Sequence, residues 1–143
     1  MMRPGIGGRA WRVLVPLDGS RAAHRAVRSL VNRAKREGPM EVVLVGLAPL
    51  ATRILPALFA SLLFAPGESP IERLRDASAL LAMHGISHRV VAAAGGAERV
   101  IDVAVRSHGA DEVVIGPIGG VAAGRSLAYR LATRLGTRVT FVA

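Results

Sequence analysis

Two short stretches of this 143-residue chain carry residue types suited to a phosphorylated or hydroxyl-rich ligand. The first is Asp18-Gly19-Ser20, which follows the apolar run ending at Pro16 and Leu17. A carboxylate there could accept hydrogen bonds from a ribose hydroxyl or a base amine. It could also simply start a turn or help cap the helix that follows. The second is Gly116 to Ser126, with glycines at 116, 119, 120 and 124 followed by Arg125 and Ser126. Glycines let the backbone bend tightly and bring N–H groups close to an anion, and a helix N-terminus adds a favourable field. Ser126 would offer a hydroxyl and Arg125 a charged fork for phosphate. The spacing matches neither Walker A nor the strict dinucleotide fingerprint, so the residues alone also admit a flexible crossover loop with Ser126 capping its helix.

The elements that must position these loops alternate between strand and helix. Arg12–Leu17 reads as a short buried strand, and Ser20 as a cap for a helix over Arg21–Arg36. In that helix Ala23, Ala26, Val27, Leu30, Val31 and Ala34 recur at three- and four-residue steps. Gly38-Pro39 ends it, and Glu41–Leu47 is a second strand, apolar on both faces as a helix-covered parallel sheet requires. Ser69, Pro70 and Glu72 combine a capping box with a first-turn proline, predicting a helix to about His84 with Gly85 as its stop. Ser87–Ala93 is a third strand, Ala97–His108 a helix ended by Gly109, and Asp111–Ile115 a fourth strand. Arg125–Leu135 is a last helix closed by Gly136, and Arg138–Val142 a fifth strand. The pattern predicts one domain over residues 1–143 with a frayed start at 1–10 and an irregular apolar connection at 48–68. Its fold class is α/β: a five-stranded, open, parallel, Rossmann-like sheet with helices on both faces. Ligands in such sheets sit beyond the carboxyl ends of the strands, where the strand order reverses.

Composition removes several alternatives. With no cysteine there is no disulfide framework, thiol nucleophile or thiolate metal site. The 19 basic residues against 10 acidic ones give a formal charge of +9, and Lys35 is the sole lysine. Arg21, Arg25 and Arg28 form a stripe on one helix face, but no aromatic residue interleaves it. One Trp, one Tyr and three Phe make poor stacking platforms, which argues against nucleic acid and for a solvated face. His24, His84, His88 and His108 fall on different elements without metal-ligand spacing. The most apolar stretch, Ile54–Ala65, contains Pro56 and is too short to span a membrane. It could cover the core, cover the ligand cleft, extend an interface, or dock a protein partner or a membrane surface. No targeting signal is evident, so the default expectation is a soluble, cytoplasmic protein.

In this order the segments resemble the universal stress protein family along nearly the whole chain. Arg12–Ser20 resembles the family's opening strand with its aspartate. Gly96–Val105 resembles the helix after the third strand, and Gly109–Gly116 the run into the phosphate loop. The resemblance implies a fold of the adenine nucleotide alpha hydrolase type. It implies ATP, with magnesium, as ligand: Asp18 and Leu47 near adenine and ribose, and Ile115, Gly116, Gly119, Gly120, Gly124, Arg125 and Ser126 near ribose and phosphates. The family pattern places glycine and Ser/Thr nine residues after its second glycine, where this chain has Tyr129 and Arg130. Registered on the last helix, Arg125-Ser126 takes that place, which shortens the loop by about four residues and sets triphosphate binding in question. The resemblance also implies a homodimer through Val139–Val142, an apolar terminal edge that gains from pairing. Neither a nucleophile elbow nor an obvious carboxylate pair is present, so the expectation is a small non-enzymatic regulatory protein, with weak ATP hydrolysis left open. The alternative is a dimeric interaction module that binds no nucleotide and works through protein partners.

Overall fold

The computed structural model describes residues 9–48 and 70–143. Five strands form one sheet: β1 (Trp11–Leu17), β2 (Met40–Ala48), β3 (Ser87–Ala94), β4 (Glu112–Ile115) and β5 (Arg138–Phe141). Four helices lie among the described residues: α1 (His24–Glu37), α2 (Pro70–Met83), α3 (Ala97–His108) and α4 (Val121–Leu135). None is long and apolar enough to cross a membrane. The strand order is β3-β2-β1-β4-β5, and every pairing is parallel.

That order follows from right-handed crossovers. The chain steps one way from β1 through β2 to β3, then returns across the sheet to β4 and β5. The reversal puts α1 and α2, which pack together, on one face and α3 with α4 on the other. Apolar residues of the central strands (Val13, Leu14, Val15, Val42, Leu44, Val45, Val113 to Ile115) are almost wholly buried between the two pairs. Leu30, Leu81, Ile101 and Leu131 complete the core from the helices. Each such side chain contributes about 1.5–3 kcal/mol relative to exposure.

Two helix starts differ from those read in the sequence, and both border the candidate loops. α1 begins at His24, not Arg21, because residues 21–23 form a turn whose Ala23 N–H donates to the Ser20 hydroxyl at 3.1 Å. Ser20 therefore caps the turn, and Ala23, at the helix N-cap, supplies no side-chain bond. α4 begins four residues earlier than expected, at Val121 and not Arg125. Gly124 reads as loop in the sequence, yet its N–H donates to the Gly120 carbonyl at 2.9 Å as an ordinary helical bond. The expected irregular connection at 48–68 and the frayed start fall almost entirely outside the described residues, as does the apolar stretch Ile54–Ala65. Arg9, just inside them, holds Asp111 through both carboxylate oxygens at 2.9 Å.

Opposite the candidate loops, a wholly buried carboxylate fastens the sheet to α1. Glu112 of β4 accepts two hydrogen bonds from Arg33 at 2.9 and 2.6 Å. Trp11 Nε1 donates to it at 3.0 Å and Thr140 Oγ1 at 2.7 Å, so β1, β4, β5 and α1 meet on one group. Burial alone would push this carboxyl up, but the Arg33, Thr140 and Trp11 bonds outweigh it and hold the group below its ordinary range. His24 is also held low, by burial and then by Arg28, and its Nδ1 is buried without a hydrogen-bond partner.

Both groups bind fewer protons folded than unfolded, so their contribution is complete at neutral pH and shrinks as the solution is acidified. His24 gives way first, below about pH 6.5, and Glu112 only once the pH falls past the ordinary carboxylate range. The midpoint of urea unfolding should accordingly decline in two stages from neutral pH downward. A flat profile into mild acid would contradict the role assigned to His24.

Candidate functional site

The sheet reverses direction between β1 and β4, and both glycine-bearing loops leave it there. Asp18 follows the last residue of β1, and its carboxylate joins the two loops. One oxygen accepts the Ser20 N–H at 2.9 Å, closing its own turn, and the other accepts the Gly119 N–H of the second loop at 3.2 Å. The position that sequence reasoning offered to a ligand is thus bonded to the second loop.

The four glycines of that second loop divide by role. Gly119 and Gly120 have φ of 71° and 105°, a region that disfavours side chains, and both are exposed. Gly116 and Gly124 are buried, and in each the missing side chain makes room for protein backbone. A Cβ on Gly116 would lie 3.0 Å from the backbone of Ala23, the residue that precedes α1. A Cβ on Gly124 would lie 2.7 Å from the Gly116 carbonyl oxygen and 2.9 Å from Ile118 N and Pro117 Cα. Gly124 therefore lets the first turn of α4 press directly on the loop. The sequence placed all four glycines in one loop, and nothing in their spacing distinguishes the two roles.

The rest of the expected set is dispersed. Leu47, next to last in β2, and Ile115, last in β4, are core residues, and the Ile115 carbonyl accepts the Val142 N–H at 2.8 Å. Arg125, now in the second turn of α4, stacks over the Phe141 ring of β5 at 5.4 Å. Ser126 is not a helix cap, because α4 already runs through it, and its hydroxyl accepts a 2.6 Å bond from Arg130 one turn on. The structure brings together Asp18, Gly119, Gly120 and the first turn of α4. In that turn the amides of Val121, Ala122 and Ala123 precede the first intrahelical carbonyl acceptors. Such amides, with the helix dipole behind them, suit a single anionic group.

A doubly wound, wholly parallel α/β sheet with its glycine loop at the reversal point defines the class of fold. The family model described as "Universal stress protein family" matches residues 11–142, and the chain belongs to that family. Solved structures agree on the fold. A universal stress family protein from Burkholderia pseudomallei is 23% identical over 92% of this chain and 94% of its own, with a TM-score of 0.59. An Arabidopsis thaliana family protein with AMP bound is 14% identical over 92% and 90%, with a TM-score of 0.65. The Archaeoglobus fulgidus universal stress protein in complex with dAMP is 17% identical over 94% and 98%, with a TM-score of 0.62. No curated protein matches the chain.

Proposed function

We propose that this universal stress protein is a regulatory nucleotide-binding protein whose cleft takes an adenosine nucleotide through one phosphate. The observation that carries the reading is the meeting of Asp18, Gly119 and the first turn of α4 at the sheet's reversal point. Relatives of the same fold hold AMP and dAMP. The residues fit an adenosine ligand at two places. Asp18 can exchange its Gly119 bond for a ribose hydroxyl, and the Val121–Ala123 amides can receive a phosphate oxygen. Further phosphates would meet Arg125 only if it left the Phe141 ring, so the reading favours a monophosphate over ATP. Any magnesium would arrive on the phosphates, as this ion commonly does. The functional unit in this reading is a homodimer paired through Val139–Val142.

Calorimetry of nucleotide-free protein with AMP, ADP and ATP, with and without magnesium, tests the ligand, and sedimentation of the same samples tests the dimer. AMP should bind at least as tightly as ATP. Asp18→Ala should weaken AMP binding more than tenfold, about 1.4 kcal/mol. Unchanged affinity in that variant would remove Asp18 from the site. The Asp18–Gly119 bond also favours a second reading, in which the loop is satisfied internally and the protein acts through partners alone. Absence of binding at millimolar nucleotide would overturn the nucleotide reading and leave the second. Gly116 is a poor probe of either, because any side chain there strikes Ala23 before it could reach a ligand.

A further inference from the structure

At the other end of the sheet, away from the nucleotide cleft, a serine and a histidine face each other with the spacing of a nucleophile and its base. Ser78 of α2 places its Oγ 2.7 Å from Nε2 of His88 in β3. The other ring nitrogen, Nδ1, lies 2.9 Å from the backbone carbonyl oxygen of Ile86. A carbonyl can only accept, so Nδ1 must carry a proton, and in the neutral ring Nε2 is left as the acceptor for the serine hydroxyl. That tautomer is the one a general base requires, held here by a main-chain carbonyl where a carboxylate would serve in a triad. Beside the pair runs an open groove of about 450 Å³, lined by Leu74, Arg75, Ser78, Ala79, Ala82 and Val90. Arg75 is exposed one helical turn before Ser78, on the same face, and brings positive charge to the groove's otherwise mainly apolar wall.

We infer that Ser78 and His88 form a nucleophile–base pair that accepts an acyl group from an ester whose apolar acyl chain lies along this groove. In the first step Ser78 Oγ bonds to the ester carbonyl carbon while its proton passes to His88 Nε2. Negative charge gathers on the carbonyl oxygen on the side of Arg75. The bond to the alcohol oxygen then breaks, and that oxygen leaves with its electron pair and takes the proton from His88. The product is an acyl-Ser78 and a free alcohol. Water, giving a proton to His88 as it attacks, releases the carboxylic acid and restores Ser78.

The test is covalent labelling of the full chain with a fluorophosphonate probe, followed by peptide mapping, alongside p-nitrophenyl acetate as the acyl donor. The wild-type protein should carry one adduct, at Ser78, formed faster than at the exposed Ser87, Ser107 or Ser126. Ser78→Ala should abolish it, and His88→Gln should slow it about 10²-fold, the usual range for loss of a general base. Unchanged unfolding midpoints would assign those losses to chemistry. Labelling of Ser78 no faster than of the exposed serines, or an undiminished rate in a folded His88→Gln protein, would overturn the proposal. The wild-type map decides the matter even if a variant fails to fold.

Discussion

Replacing Glu112 by alanine should cost about 3–5 kcal/mol of folding stability, read as a lowered midpoint of urea unfolding at neutral pH. The size follows from what remains behind. Arg33 is mostly covered, and its two bonds to Glu112 would be lost together while its guanidinium stays in place; among the described residues only the bond to Glu37 at 2.8 Å remains. Trp11 Nε1 and Thr140 Oγ1 would lose their acceptor at the same time, each in partly buried surroundings. Leaving donors unsatisfied costs more than the bonds contributed when made. Glu112→Gln is the informative companion. It can still accept from Trp11 or Thr140 but presents no second carboxylate oxygen to Arg33, so its midpoint should fall between the wild type and Glu112→Ala. If alanine at 112 costs less than about 1 kcal/mol, the network is incidental to stability.

The second large effect reverses what helix propensity alone would expect. Gly124→Ala places a good helix former inside α4 and by propensity should gain about 1 kcal/mol. The added methyl, however, would stand 2.7 Å from the Gly116 oxygen and 2.9 Å from two further backbone atoms. Backbone cannot rotate aside as a long side chain can, so α4 must lift from the loop. Overpacking of this kind costs about 1–3 kcal/mol, and the net change should be destabilising. The same displacement carries the amides of Val121–Ala123 away from Asp18. Nucleotide affinity should fall with stability in this variant, whereas Glu112→Ala acts at the other end of the sheet and should leave affinity of the folded fraction alone. A Gly124→Ala protein more stable than wild type would mean that α4 moves freely over the loop.

The sheet was largely legible from the chain. Continuous apolar runs such as Val42 to Val45 allow little besides buried parallel strands, and the crossover rule then restricts their arrangement. Legibility failed where a residue's role depends on partners distant in sequence. Glu112 reads as the charged edge of a strand, because Arg33 is 79 residues away and Thr140 is 28 away. Gly124 reads as loop because a glycine's local meaning is permissive backbone, while its use here is to admit Gly116 and Pro117 from outside the helix. Ser78 and His88 are 10 residues apart across a helix-to-strand turn, a spacing that matches no nucleophile motif. Asp18 stands out by its place after β1, but its bond to Gly119 requires the fold.

The attachments of β5 bear on how anything could join its outer edge. On the inner side it pairs with β4, Thr140 is tied to the buried Glu112, the Val142 amide is bonded to Ile115, and Arg125 lies across Phe141. The strand therefore has little conformational freedom left to lose. A second strand arriving at that edge would meet a rigid template, and the ordering cost that usually erodes association would fall almost entirely on the newcomer. Between two copies, both newcomers would already be ordered, so even a short strand could support a lasting contact.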